Sequence, residues 1–289
     1  MSRFAFSLTL FAAMLAAGSA SAELVAYEPF DYNENEALNG QNGGGGFTSA
    51  WRDAGAAGGT ILAGSLAGPA GLPTSGGHAL LSGENGTYTI FRDFAELDSS
   101  DGATTWYSYI GQRIGDVQDP PAFGTNPYPR GVNVSLFDSG SERLAMGNSS
   151  NATADEWSII PLGSGGLRQG APNAPYSELH WGVIRIDHIG DETVNDNAYL
   201  WIDPDPNVEP TLGTADASAI DAADYSGIDS LRPFIGDTSS GRPAGQLLVD
   251  EIRIGTTYAD MSGTRVVPEP AALCLAGLAV CGLVGRRRR

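Results

Sequence analysis

Three oxygen-bearing side chains occur at alternate positions of the segment DPDPN: Asp203, Asp205 and Asn207. The two prolines hold this segment extended, because each fixes its own φ and biases the preceding residue away from the helical region. Calcium prefers carboxylate and amide oxygens, so the spacing allows a calcium site. A solvated turn after a strand is the more common structure for such a segment, and we favour it. No other cofactor is expected.

Paired carboxylates on alternate strand residues would indicate polysaccharide cleavage, because a period of two places them on one face of a sheet. The pattern E-x-D-x-x-E, which meets this need, is absent from the sequence. Asp250 and Glu251 are adjacent, so on a strand they should point to opposite faces and cannot act as a pair. The three histidines have no metal-ligand spacing, and no Ser/His/Asp constellation is evident. We therefore predict that the protein is not an enzyme.

Exposed aromatic rings would indicate sugar binding, because they can stack on the face of a pyranose. Of the five tryptophans, Trp51 lies beside a glycine-rich stretch in TSAWRDAG and is the best candidate for an exposed, ligand-binding ring. A tryptophan of a β-sandwich is more often buried in the core, and we favour this position for Trp51 as well.

The first 22 residues have the order of a secretory signal peptide. Arg3 is followed by an apolar stretch over residues 4–17 and by small residues that end at Ala22. We expect export through the secretion translocon and cleavage between Ala22 and Glu23.

The last 22 residues consist of a triplet, an apolar run and a basic cluster. The triplet is Pro268, Glu269 and Pro270, and the cluster is Arg286, Arg287, Arg288 and Arg289. The apolar run, residues 271–284, would span about 21 Å as a helix, whereas the hydrocarbon core of a bilayer is about 30 Å thick. Arginines cross a bilayer at high cost, so the cluster should stay on the cytoplasmic side and stop transfer of the chain. A permanent single-span anchor is the alternative.

This three-part tail resembles the PEP-CTERM sorting signal of Gram-negative-type bacteria. The resemblance implies a partner, an exosortase-type membrane protease that cleaves near Pro268, Glu269 and Pro270. It implies an intermediate held in the inner membrane by the C-terminal helix, followed by delivery to the cell surface or the extracellular space.

The composition excludes nucleic acid as a partner. The 289 residues include no lysine, and the formal net charge is −18. An acidic surface of this kind repels nucleic acid and anionic lipid head groups. Both cysteines, Cys274 and Cys281, lie in the tail, so no disulfide stabilises the exported part.

Short alternating segments separated by Gly, Asn, Asp and Pro predict an all-β fold, an antiparallel β-sandwich. We expect two hairpins: Glu84-Asn85-Gly86 should join the strands HALLS and TYTIF, and residues 138–141 should join VNVSLF and RLAMG. The segment TADASAIDAADY could form a turn or two of helix.

The opening AYEPFDY, the close LLVDEIRIGTTYAD and the segment LWIDP resemble laminin-G-like, concanavalin A-like jelly rolls. The resemblance implies that the first and last strands pair, which would place Tyr27 and Ile252 in one sheet. The predicted organisation is a signal helix (1–22), a jelly-roll domain (23–262), a linker (263–267) and a sorting tail (268–289) with a short transmembrane helix.

Together these features predict an exported surface or matrix protein. Its body should be a non-catalytic binding or structural module, and exopolysaccharide is a candidate partner. The alternative is a secreted glycan-active enzyme, a glycoside hydrolase or lyase, on a concanavalin A-like fold.

Overall fold

A computed structural model describes residues 24–55, 58–150, 152–162, 168–190, 194–238 and 242–263. Within these ranges the chain forms fifteen strands, numbered here in chain order, in two sheets whose strand pairs are all antiparallel. The predicted all-β antiparallel sandwich is confirmed. The predicted signal helix and transmembrane helix lie outside the described residues.

One sheet has eight strands: β1 (Leu24–Glu28), β3 (Gly59–Leu62), β4 (His78–Ser82), β6 (Thr104–Ile114), β11 (His180–Asp187), β12 (Asp196–Ile202), β13 (Ala217–Ala223) and β15 (Gln246–Gly255). Its order is β13-β12-β11-β6-β15-β4-β3, with β1 paired to β15.

The other sheet has seven strands: β2 (Arg52–Asp53), β5 (Tyr88–Asp93), β7 (Val132–Asp138), β8 (Ser141–Asn148), β9 (Ser158–Pro161), β10 (Gln169–Gly170) and β14 (Ser230–Ile235). Its order is β10-β9-β8-β7-β14-β5-β2.

The hydrophobic core lies between the sheets and follows from the alternation of side chains along each strand. In β7, Val132, Val134 and Leu136 point into the core, so the intervening Asn133 and Ser135 point outward. The same alternation in every central strand gives each sheet one apolar face and one outward face.

A second apolar cluster covers the outward face of the eight-stranded sheet. Its members are Leu72, Trp106, Ile110, Trp181, Val183, Trp201, Tyr258 and Met261. Two of these residues belong to a short helix, α1 (Tyr258–Ser262), and Leu72 belongs to the connection between β3 and β4. No helix of the described residues is long and apolar enough to cross a membrane.

The first and last strands pair as the resemblance implied. Glu28 of β1 lies opposite Ile252 of β15, and Tyr27 lies opposite Arg253. The proposed domain boundaries themselves remain predictions.

The two predicted hairpins have different outcomes. Asp138 pairs with Ser141, and Ser139 and Gly140 both adopt positive φ, as a tight two-residue turn requires. The hairpin at Glu84-Asn85-Gly86 was wrong, because the two strands it connects, β4 and β5, belong to different sheets. The turn residues do reverse the chain. Strand β5, which follows the turn, then joins the opposite sheet and packs its apolar side into the core from there.

The suggestion of a helical turn in TADASAIDAADY was also wrong, because residues 217–223 form strand β13 against β12. Three alanines of this strand, Ala217, Ala219 and Ala223, are buried in the core. Tertiary packing therefore overrides the helix propensity of alanine in this segment.

Candidate functional site

Several residues singled out from the sequence lie outside the described residues: Ala22, Glu23, Pro268, Glu269, Pro270, Arg286, Arg287, Arg288 and Arg289. Their roles depend on the sequence and on the comparisons given below.

The segment around Asp203 and Asp205 forms a turn in which the carboxylates have different partners. Asp203 adopts a positive φ of 49°. Its Oδ2 lies 2.6 Å from Nδ1 of His180, and its Oδ1 accepts the backbone N–H of Trp181 at 2.8 Å. Asp205 Oδ1 instead accepts both N–H groups of Asn207, from the backbone at 2.9 Å and from the side chain at 3.1 Å. The contacts are those of a structured turn, and calcium binding by these residues stays a prediction.

Trp51 is in the core, with only 1% of its surface exposed. Its indole N–H donates to Glu28 Oε2 at 2.9 Å, and its ring stacks on Phe30. The favoured core position is therefore confirmed, and the candidate role of an exposed ring that binds sugar was wrong.

A chain of side chains with the order of a hydrolase triad occurs at one edge of the core. Thr105 Oγ1 lies 3.1 Å from Nε2 of His188, and Nδ1 of His188 lies 3.2 Å from Oδ2 of Asp196. No local spacing indicates this chain of contacts, because the three residues come from separate strands and loops. His188 is only 3% exposed and its partners are equally buried, so a substrate has no access. These contacts tie β6 to the segment between β11 and β12.

Asp250 and Glu251 do not point to opposite faces as predicted, because a β-bulge interrupts β15 at this point. Glu251 adopts a positive φ of 52°. Asp250 Oδ2 accepts the Ser65 hydroxyl at 2.5 Å, and Glu251 Oε1 accepts the backbone N–H of Ser75 at 2.6 Å. Both buried carboxylates thus hold the same connection, residues 63–77, against the sheet.

Burial raises the pKa of Asp250 to about 7, and the charge of Glu251 adds to this, whereas hydrogen bonds from Ser65 and from the backbone act in the opposite direction. An unfolded aspartate ionises near pH 4, so between about pH 4 and pH 7 the folded state holds a proton that the unfolded state has lost. Over this window the free energy of unfolding must fall as the pH rises.

Asp250→Asn should remove this pH dependence, because asparagine keeps an acceptor oxygen and has no charge. We expect the free energy of unfolding of the wild type, relative to the variant, to decrease by about 2–4 kcal/mol between pH 4 and pH 8. Urea denaturation of both proteins at pH 4, 6 and 8 measures the difference. Parallel pH profiles would show that Asp250 titrates normally.

The outward side of the seven-stranded sheet combines polar and aromatic residues on its central strands. We call this surface the seven-strand face and define it by Phe91, Asn133, Ser135, Phe137, Glu142, Arg232 and Phe234. Asn133 and Ser135 lie at outward positions because their neighbours on the strand belong to the core, and Glu142 is placed with them by its pairing with Phe137.

A hydrogen-bonded network connects three strands at the centre of the seven-strand face. The Ser135 hydroxyl lies 2.8 Å from Asn133 Oδ1 and 2.5 Å from Glu142 Oε1. Arg232 donates to the same Glu142 oxygen at 2.8 Å. Ser135 opposes Arg232 directly in the pairing of β7 with β14. The network holds four polar side chains together, of which Asn133 and Ser135 are buried and Glu142 and Arg232 are partly exposed.

Aromatic rings flank this network. The guanidinium of Arg232 lies 4.5 Å from the ring centroid of Phe137 and 5.3 Å from that of Phe234. Phe91 packs edge-on against Phe137 at 5.1 Å. Phe91 and Phe234 are half-buried, so each presents part of its ring to solvent. Polar groups between partly exposed rings are the elements from which sugar-binding surfaces are built.

Charges on the seven-strand face and at its edge are balanced by pairing. Burial lowers the pKa of Arg232, and the charge of Glu142 opposes this shift. At the edge, Arg52 pairs with Asp93 at 2.6 Å. Such a surface can position hydroxyl groups, but its carboxylates are held by arginines rather than set opposite one another for acid and base chemistry.

The sequence contains a signal for this surface. Asn133 and Ser135 are polar residues two positions apart in the otherwise apolar strand VNVSLF. A search restricted to carboxylate pairs and tryptophans overlooks them. Arg232, which lies opposite Ser135 in the sheet, is distant in the chain, so only the tertiary structure brings it near them.

The eight-stranded sheet has an open depression of about 530 Å³ beside the turn of Asp203 and Asp205. Trp201 and Asp216 are among the residues that line it. The Trp201 ring is buried against Trp106, and Asp216 accepts the backbone N–H of Ile202 at 2.8 Å. Trp201 and Asp216 already serve the fold, so we take the seven-strand face as the candidate site.

Comparison with known families identifies the C-terminus. Residues 266–289 match the PEP-CTERM protein-sorting motif, which confirms the resemblance drawn from the triplet and the arginine cluster. The chain thus carries the sorting motif of an exported protein that is processed at the membrane. No curated protein matches the chain.

Solved structures resemble the chain only distantly. An endo-β-1,4-glucuronan lyase from the fungus Trichoderma reesei is 13% identical, with a TM-score of 0.46 over 84% of this chain and 100% of the lyase. An endo-1,3-β-glucanase from Streptomyces sioyaensis is 13% identical, with a TM-score of 0.47 over 83% of this chain and 98% of the glucanase. The globular domain of T. cruzi calreticulin is 11% identical, with a TM-score of 0.40 over 73% of this chain and 85% of that domain. Likeness of this degree carries no argument about activity or ligand.

Proposed function

We propose that the protein is an exported surface or matrix protein whose body is a non-catalytic, glycan-binding module of concanavalin A-like jelly-roll type. The chain leaves the cytoplasm through the translocon, is held in the inner membrane by its tail, and is passed to an exosortase-type protease. Delivery to the cell surface or the extracellular space follows, where exopolysaccharide is the partner. The sorting motif at residues 266–289 supports the route.

The observation that carries the binding role is the network of Asn133, Ser135, Glu142 and Arg232 on the seven-strand face. Asn133 and Ser135 are buried, at 4% and 0% exposure, so the members of the network that a ligand can reach are Glu142 and Arg232, whose side chains are each 17% exposed. The guanidinium of Arg232 lies beside the rings of Phe137 and Phe234, and Phe91 packs against Phe137. A sugar unit meets both kinds of group, with hydroxyls for the polar atoms and C–H faces for the rings.

The alternative is a secreted glycan-active enzyme, a glycoside hydrolase or lyase, and the same surface disfavours hydrolysis by a carboxylate pair. Hydrolysis by a carboxylate pair needs two carboxyl groups about 5–9.5 Å apart, one to protonate the glycosidic oxygen and one to attack or to activate water. The described carboxylates at this surface, Glu142 and Asp93, are each bound to an arginine. The Thr105, His188 and Asp196 chain lies in the core, away from any ligand. A binding module fits these contacts better.

Phe234→Ala should reduce glycan affinity at least tenfold, because it removes one of the two half-buried rings of the seven-strand face. The measurement is isothermal titration of the exported protein with soluble polysaccharides. Tyr199→Ala is the matched control, since Tyr199 is an equally half-buried ring on the outward side of the eight-stranded sheet. Equal affinities of both variants and the wild type would place the binding surface elsewhere, and absence of binding to any polymer would contradict the proposal.

A further inference from the structure

We infer that the ligand of the seven-strand face is an uncharged, hydroxyl-rich glycan rather than a polyanionic one. This inference rests on the proposed function and specifies its ligand. It depends on three properties of the surface: the pairing of its arginines, the acceptors its network offers, and the charge of the whole chain.

The arginines of this surface are already committed. Arg232 is bound to Glu142 at 2.8 Å, and each of these side chains is only 17% exposed. Arg52, at the edge, is bound to Asp93 at 2.6 Å. A uronate or sulfate group that approaches either arginine meets the carboxylate already bound there, so it can take the place of that carboxylate only by an exchange of partners. That exchange would leave the partly buried Glu142 without a counter-charge, which is costly.

The acceptors on the surface select hydroxyl groups. Ser135 and Arg232 are the two donors to Glu142, and both bind its Oε1. Among the described residues, no donor binds Oε2 of Glu142. Ser135 has a single hydroxyl proton but lies within bonding distance of two acceptors, Asn133 Oδ1 and Glu142 Oε1. Glu142 Oε1 keeps its bond from Arg232 in either case, so the acceptor that Ser135 can leave without a donor is Asn133 Oδ1, which belongs to a buried side chain. A sugar hydroxyl can therefore donate to Glu142 Oε2, whereas a carboxylate or sulfate cannot.

The charge of the chain acts in the same direction over longer distances. The formal net charge is −18. A polyanion is therefore repelled as it approaches, and the repulsion reaches about 10 Å at 0.1 M salt. An uncharged polymer does not experience this field, so its binding should depend little on salt.

The test compares neutral with anionic polymers at two salt concentrations. The probes are laminarin, hydroxyethyl cellulose and dextran on one side, and alginate and polygalacturonate on the other, each titrated into the exported protein in 50 mM and 500 mM NaCl. We expect at least one neutral polymer to bind, with a dissociation constant that changes less than about twofold with salt. The anionic polymers should bind at least tenfold more weakly.

Glu142→Gln should reverse this preference. The variant leaves Arg232 without its counter-charge and removes the carboxylate acceptor, so affinity for the neutral polymer should fall about tenfold and salt-sensitive binding of polygalacturonate should appear. Asp187→Asn is the matched control, because it removes one negative charge beside Arg185 on the other sheet, where their side chains lie 2.5 Å apart. The control should keep the wild-type pattern. Thermal unfolding of each variant verifies that it is folded.

The possible failures are distinct. If the wild type prefers alginate or polygalacturonate and loses affinity steeply with salt, the inference is overturned while the proposed glycan-binding function stands. If Asp187→Asn gains polygalacturonate binding as Glu142→Gln does, the net charge of the protein and not the seven-strand face determines the preference between neutral and anionic polymers. The inference is then again overturned. If no polymer binds at either salt concentration, the proposed function and the inference both fall.

Discussion

Arg92→Met should lower the free energy of unfolding by about 3–5 kcal/mol, the usual result of breaking a buried ion pair from one side. Arg92 and Glu28 form an ion pair in which both side chains have 0% exposure. The same guanidinium lies 3.9 Å from the ring centroid of Phe47 and donates to the carbonyl oxygen of Gly43. One arginine thus connects β5 to β1 and to the glycine-rich segment between β1 and β2.

The large effect arises from the carboxylate that remains. Without Arg92, Glu28 keeps its bonds from the Phe30 backbone at 2.8 Å, the Tyr32 hydroxyl at 2.7 Å and the Trp51 indole at 2.9 Å. These donors stabilise a negative charge but do not neutralise it in an environment closed to water. The folded state must then bury a charge or protonate it, and both are costly at neutral pH.

Two variants control this experiment, which is measured by urea denaturation at pH 7. Arg52→Met breaks the pair of Arg52 with Asp93, in which the two side chains are 55% and 34% exposed. It should lower the free energy of unfolding by less than about 1 kcal/mol. The double variant Arg92→Met with Glu28→Gln should be less destabilised than the sum of its parts, since no charge is left buried. If Arg92→Met lowered the free energy of unfolding no more than Arg52→Met does, the buried pair would not stabilise the fold.

Local pattern explains which parts of this fold are predictable. Strands such as VNVSLF alternate apolar and polar residues, and the tight turn at Ser139 and Gly140 tolerates positive φ, so both can be derived from neighbouring residues. The connection at Glu84 could not be derived in this way, because turn residues indicate that the chain reverses but not which sheet the next strand joins. Strand β13 was missed since its alanines favour no period strongly.

The candidate site was hidden for a different reason. Glu142 and Arg232 are 90 residues apart in sequence, and Glu28 and Arg92 are 64 residues apart. No local spacing therefore indicates either pair. Trp51 illustrates the same limit, because the glycine-rich neighbourhood that suggested exposure is folded over the core by that very arginine. Bulges also limit what can be predicted from sequence. The bulge at Glu251 directs the adjacent carboxylates of Asp250 and Glu251 toward the same connection, residues 63–77.

Replacing Arg286, Arg287, Arg288 and Arg289 together with alanine should abolish processing of the tail. The apolar run of residues 271–284 would span about 21 Å as a helix, short of a hydrocarbon core of about 30 Å, so by itself it should hold the chain in the membrane only weakly. Four arginines should resist transfer across the bilayer and so keep the motif at the membrane. Without them the chain should pass through the translocon entirely, and the processed fraction should fall at least tenfold.

Intact mass of the protein from membrane and medium fractions decides the matter. The wild type should lack residues 1–22 and everything after about Pro270, and replacement of the four arginines by lysine should leave this unchanged because the charge is kept. The alanine variant should retain the whole tail in the medium. A wild-type protein that carries Arg286–Arg289 in the membrane fraction would instead be permanently anchored, because a cleaved tail cannot leave its arginines on the mature chain.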